Sequence, residues 1–259
     1  ISIMEHKIYE IPGSYGDTII KISHFYVPEN NNIIINIHGT YGSMNGWNNK
    51  YLNFARQLKS HNIANVVLYE SSRKAIEPDS NETDRYKQKQ AHFIGKTFFD
   101  ELEDARRVLQ NTLEQSQVLF GIEKNKCKII LNGNSLWGIL AFYLAHEFSQ
   151  VKAIVSVWTG LRLEIKNVPI LDTFPNIHKL KEKLQSFTGK YVCYYGTDDD
   201  IFTKESFFQL LDTVGNKKTD KSIIEMPGVD HSFGKVNWEI SHTPYNEIFL
   251  WHVSLWKNI

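Results

Sequence analysis

Several shortages bound this chain before any motif is read. Its 259 residues contain only two cysteines, Cys127 and Cys193. Each lies within an apolar run that reads as a strand, the setting of a buried reduced thiol. A disulfide framework is thereby excluded, and a cytoplasmic location is expected. No apolar run reaches the ~18 to 20 residues that a membrane span needs. Ile1 to Ile11 carries polar groups throughout, unlike a signal peptide, and the start at Ile1 rather than Met leaves open whether a stretch precedes it. Neither sign of charge is in excess, since Lys+Arg and Asp+Glu both number 29. The even balance leaves no basic footprint for nucleic acid. Glycine (15) and proline (7) nowhere gather into a linker, and there is no internal repeat, so one domain spanning 1–259 is expected.

What is present is ordinary for a globular enzyme-sized domain. Hydrophobic residues make up 42% and charged residues 22%, values that exclude disorder. A chain of this length buries about 70% of its unfolded surface and needs no staples. Two alternating stretches, His6 to Ile11 and Thr18 to Val27, read as strands joined by a turn-rich link. Ile33 to Ile37 is nearly all apolar, as expected of a strand covered on both faces. From there strands (65–69, 128–131, 153–158, 191–195, 222–226) alternate with helical periodicity (47–61, 98–115, 136–148, 177–187, 204–214). A closing helix is expected within 245–256. Residues 71–90 read as a long polar loop. The alternation predicts an α/β fold, a mostly parallel sheet with helices on both faces.

In such a sheet, ligands gather at the carboxyl ends of the strands. Those positions read His38-Gly39-Thr40-Tyr41, Gly133-Asn134-Ser135-Leu136-Trp137-Gly138, Gly196-Thr197-Asp198-Asp199-Asp200 and Pro227-Gly228-Val229-Asp230-His231. A hydroxyl, a carboxylate cluster and an imidazole therefore fall at three strand ends. A serine in a tight strand-to-helix turn is exposed beside free backbone N–H groups. An imidazole can take its proton, and a carboxylate can fix the imidazole tautomer. Gly39-Thr40 lets backbone approach a substrate carbonyl, and the Leu136 amide is the second donor for an oxyanion.

On these residues the chain resembles the α/β-hydrolase superfamily over nearly its whole length. The resemblance implies the α/β-hydrolase fold with Ser135 as nucleophile, His231 as base and Asp199, three residues after Gly196, as acid. It further implies an oxyanion hole of Leu136 with Thr40 or Tyr41. Spacings of 64 residues from Ser135 to Asp199 and 32 from Asp199 to His231 leave room for the intervening αβ units. The stretch 159–189 corresponds to the family's lid position, and its length admits a small lid at most. One departure stands out: the elbow pattern Gly-x-Ser-x-Gly has Trp137 in its last place. Gly138 follows, and Ala141 and Ala145 continue a small-residue stripe on one helical face. That stripe is expected to supply the close packing while Trp137 points elsewhere.

Plainer readings stand beside these. A serine before an apolar helix is commonly an N-cap, and aspartate runs are common turn chemistry; the order of all four strand ends favours catalysis. His38 is expected to bond within its own loop. Tyr41, Trp158 and Phe202 are candidates to line an apolar acyl pocket, although aromatics there often only pack. Arg73 is a candidate receiver for a substrate carboxylate. The remaining histidines have no metal-ligand spacing, and no metal or cofactor is expected. The function expected is hydrolysis of an ester, thioester or amide of a small-molecule acyl substrate through an acyl-enzyme. The alternatives are acyl transfer by the same triad and a non-catalytic binding protein, for which the altered elbow is the motive. Oligomeric state is not readable from the sequence.

Overall fold

The computed structural model describes residues 7–16, 18–76, 82–161, 169–215 and 219–231. The chain enters through an antiparallel pair, β1 (Lys7–Pro12) and β2 (Ile19–Phe25), and β2 then pairs antiparallel with β4 (Asn65–Glu70). All other pairings are parallel. Beyond β4 lie β3 (Asn32–Ile37), β5 (Lys128–Asn134), β6 (Val151–Val157), β7 (Lys190–Gly196) and β8 (Lys221–Met226). The order across the eight-stranded sheet is β1-β2-β4-β3-β5-β6-β7-β8.

Alternation along β3 explains its unbroken apolar run. Ile33, Ile35 and Ile37 enter one core, Ile34 enters the other, and all four are buried. The first core is covered by α3 (Phe98–Glu114), α5 (Gly138–Glu147), α6 (Ile177–Ser186) and α7 (Lys204–Thr213). The second is covered by α1 (Lys50–Ser60), through Tyr51, Phe54, Ala55 and Leu58. A sheet buried on both faces needs apolar residues at successive positions, not at alternate ones.

Two helices lie where the sequence shows no apolar period. The segment read as a loop over 71–90 contains α2 (Arg85–Ala91), a polar turn started by Asp84, whose side chain accepts from the Tyr86 and Lys87 amides. Its sequence RYKQKQA has no stripe to detect, and only the cap marks it. A short α4 (Ser116–Phe120) follows α3. At the other end of the expected 47–61 helix, Asn48 and Asn49 adopt left-handed backbone, so the regular turns begin at Lys50. Within 159–189, Leu180 and Leu184 of α6 are buried in the first core. Ahead of it a short 3-10 turn, Pro169–Thr173, also buries Ile170 in that core, and 162–168 lie outside the described residues. The expected closing helix within 245–256 also lies outside them. Among the described residues, no helix is long and apolar enough to cross a membrane, and both cysteines are free thiols in the interior.

Candidate active site

β5 sets the first position. It ends at Asn134, and Ser135 turns the chain with φ 55°, in the left-handed region that L-residues avoid. That conformation costs on the order of 1–3 kcal/mol and persists only where the surroundings enforce it. They do so at close range. A Cβ on Gly133 would lie 2.4 Å from Gly138 Cα, and one on Gly138 would lie 2.1 Å from Thr159 Oγ1. Thr159 also donates to the Ser135 carbonyl at 2.7 Å. Gly138 thus makes the close approach of the elbow one residue later than the usual spacing. Trp137 points away into the core, fully buried and 5.9 Å from the Phe98 ring.

The strand beneath the elbow is held by a polar layer. Asn132 and Asn134 both donate to Asn36 Oδ1, at 2.6 and 3.1 Å, and Asn134 also donates to the Ile37 carbonyl at 2.8 Å. Register decides this: Asn36 and Asn132 are cross-strand partners in β3 and β5. The sequence shows these asparagines inside apolar runs, but their meeting requires the strand order.

The second and third positions come from β7 and the turn after β8. Gly196 ends β7 where a Cβ would lie 2.0 Å from the Val229 carbonyl. This contact lets the two turns be stapled together, with Asp198 N–H donating to Val229 O and Gly228 N–H to Thr197 Oγ1. Asp199 turns inward. Its Oδ1 accepts from the Ile201 and Phe202 amides, both at 2.8 Å, and its Oδ2 lies 2.9 Å from His231 Nδ1. The opposite edge of that ring, Nε2, lies 2.9 Å from Ser135 Oγ. The Asp199 side chain is 1% exposed and that of His231 19%. A carboxylate can only accept, so Nδ1 carries the proton and Nε2 is free to accept from the serine hydroxyl. Asp198 and Asp200 are exposed, and Asp198 Oδ1 takes a bond from Thr197.

The remaining candidates surround this chain of bonds. Gly39 packs against the serine, a Cβ there lying 3.4 Å from Ser135 Cβ, so Thr40 and Tyr41 follow directly beside the elbow and Leu136 begins its helical turn. Tyr41 takes left-handed backbone (φ 56°), and its buried ring packs on Phe93 and Tyr86. Burial raises its hydroxyl pKa. Trp158 and Phe202 are both 1% exposed. The Trp158 indole donates to the Asp230 carbonyl at 2.6 Å, and the Phe202 ring lies 5.8 Å from that of His231. Trp158 thus holds the backbone just before His231, and Phe202 packs on the imidazole itself. Arg73 donates to the carbonyls of Gly42 and Ser71, lies 3.8 Å from Glu70 and stacks on Phe93. Its guanidinium fastens one loop to another.

His38 is fully buried. Its Nε2 accepts from the Ser71 amide at 3.3 Å, and its Nδ1 donates to the Gly39 carbonyl at 2.9 Å. Burial pushes the imidazole below its usual pKa, which keeps it neutral in this double role.

No family model and no curated protein matches the sequence. Solved structures do match in fold. An α/β serine hydrolase homologue from Coxiella burnetii superposes with a TM-score of 0.59 at 16% identity, over 100% of this chain and 99% of the other. An arylesterase gives 0.67 at 15%, over 100% and 85%. Est1E from Butyrivibrio proteoclasticus gives 0.61 at 13%, over 95% and 99%. The chain has the α/β-hydrolase fold expected from its strand ends.

Proposed function

We propose that the chain is a serine hydrolase that cleaves an ester, thioester or amide of a small to medium acyl substrate. The observation that carries this reading is the continuous bond chain from Ser135 Oγ through His231 to Asp199, both links at 2.9 Å. In that arrangement His231 Nε2 removes the hydroxyl proton as Ser135 Oγ attacks the substrate carbonyl. Asp199 holds the tautomer and stabilises the imidazolium. The Leu136 amide, with that of Thr40 or Tyr41, receives the oxyanion. His231 then protonates the leaving group, and the acyl group remains on Ser135 until water, activated by the same imidazole, releases the acid.

Further support comes from the neighbours in fold, among them an arylesterase and a cold-adapted esterase. The reading takes 1–259 as one domain, with a small lid within 159–189 and a binding surface that includes Tyr41. Buried free thiols at Cys127 and Cys193 suit a reducing, cytoplasmic setting. Hydrolysis of p-nitrophenyl acetate tests the proposal, with and without an added alcohol or amine. Free acid as the main product supports hydrolysis; preferential formation of the new ester or amide would assign acyl transfer instead. Absence of turnover across a panel of acyl chain lengths would favour the binding protein.

A further inference from the structure

The loop that carries Thr40 and Tyr41 has no regular secondary structure of its own. It is tied to the neighbouring strand end by two bonds from residues 71–73: Ser71 N–H to His38 Nε2 at 3.3 Å and Arg73 Nη2 to the Gly42 carbonyl at 3.0 Å. Residues 71–73 are themselves irregular and are anchored from below by a charged cluster. Ser71 Oγ donates to Glu101 Oε1 at 3.1 Å. Ser72 donates to Asp104 Oδ2 through both N–H (2.8 Å) and Oγ (2.7 Å). Lys96 Nζ reaches Ser72 O, Asp104 Oδ2 (2.9 Å) and Glu101 Oε1 (3.2 Å). All three charged side chains are at most 1% exposed.

Asp104 also binds Ser14, whose N–H and Oγ donate to Oδ1, both at 2.8 Å, so it serves the fold broadly. Glu101 differs. Among the described residues its carboxylate takes one hydrogen bond from outside the charged cluster, from Ser71, and its Oε2 has no partner; neither has the neighbouring buried hydroxyl of Tyr69. A buried carboxylate with an idle oxygen is a poor device for stability alone. Local rules broken at such a cost are expected near functional sites.

We infer that Glu101 is a positioning residue for the oxyanion loop, acting through Ser71 and His38 from its buried cluster with Lys96. The inference rests on the proposed hydrolase reading. Fixing Ser71 fixes the amide that His38 accepts, and His38 in turn fixes the Gly39 carbonyl at the start of the donor loop. Oxyanion donors act only when aimed where the charge develops, and a displacement of about 1 Å can cost 10²-fold.

The test compares wild type, Glu101→Ala and Glu101→Gln on p-nitrophenyl acetate and its thiono counterpart. A C=S sulfur is a poor hydrogen-bond acceptor, so the oxo-to-thiono rate ratio reports on the oxyanion donors and not on the amount of folded protein. Glu101→Ala is expected to lower kcat about 10- to 100-fold, with KM changed less than about threefold, and to lower the oxo-to-thiono ratio about tenfold. Glu101→Gln keeps an acceptor for Ser71 and is expected to recover at least about a third of the lost rate and ratio. Where Glu101→Ala does not fold, Ser71→Ala cuts the same link from the other side and carries the same expectation. An unchanged ratio in a folded variant, or equal losses with both esters, would overturn the inference and leave the hydrolase reading intact. Wild-type protein without Ser135-dependent turnover would overturn the reading and the inference with it.

Discussion

Two polar ensembles sit at the carboxyl end of this sheet, and they use nearly the same groups to opposite ends. One is Ser135, His231 and Asp199; the other is Ser72, Lys96 and Asp104. In the second, Asp104 accepts five hydrogen bonds, from Ser14 N and Oγ, Ser72 N and Oγ, and Lys96 Nζ, and nothing is left over for a ligand. In the first, Asp199 is similarly occupied, but the imidazole keeps 19% of its surface and, among the described residues, the serine hydroxyl is bonded to it alone. A serine beside a buried carboxylate is thus not enough for chemistry. What separates the two is that in the first an imidazole lies between serine and carboxylate, and the hydroxyl is held on left-handed backbone.

The comparison breaks most sharply at Ser135. Ser135→Ala is expected to lower kcat by about five to six powers of ten, as when a member of a cooperating triad is lost, while leaving the melting temperature within about 2 °C because no core contact is removed. Retention of more than about a tenth of wild-type kcat would contradict the assignment. Next comes Asp199→Asn, which keeps the shape but disturbs the tautomer, and should cost about 10⁴ in kcat. Steady-state kinetics would check it, with Asp198→Asn as the control at the exposed neighbour.

Trp137→Gly acts on the scaffold under the elbow. Truncating so large a buried aromatic costs about 3 to 5 kcal/mol, and glycine adds roughly 1 kcal/mol of backbone entropy. Urea unfolding should therefore show a large loss of stability with no gain in kcat/KM. A higher kcat/KM at undiminished stability would mean that the indole obstructs the site. In the saturated ensemble, Asp104→Ala leaves Lys96 with Glu101 and the Ser72 carbonyl but takes the acceptor from four further donors, and should cost about 3 to 5 kcal/mol, read from the same unfolding curves. Smallest of all, Asp198→Asn should change kcat less than about twofold, since the side chain is exposed and its amide oxygen can still accept from Thr197.

The elements that bear the proposed triad are legible because strand ends are marked by both apolar runs and glycines. Ser135, Asp199 and His231 follow β5, β7 and β8, and the structure brings all three within bonding distance. Gly138 and Trp137 exchange places relative to the usual elbow, as the small-residue stripe suggested. Less legible were residues whose role depends on strand order or on pairing across the chain. Asn36 meets Asn132 only through register, and Lys96 meets Asp104 and Glu101 only when α3 is laid under residues 71–73. The polar helix α2 has no apolar period, and its Asp84 cap is seen only in the structure. Arg73 stands out in the sequence by its place after β4, but its bond to Gly42 depends on β3 and β4 being neighbours.

The central claim is that Ser135 is a nucleophile activated by His231. Treatment of the native protein with a fluorophosphonate, followed by peptide mass mapping, tests it without knowledge of the substrate. The account predicts a single adduct on Ser135, absent in Ser135→Ala and strongly slowed in His231→Ala. A well-folded protein that takes up no label, or takes it up at another serine, would contradict it.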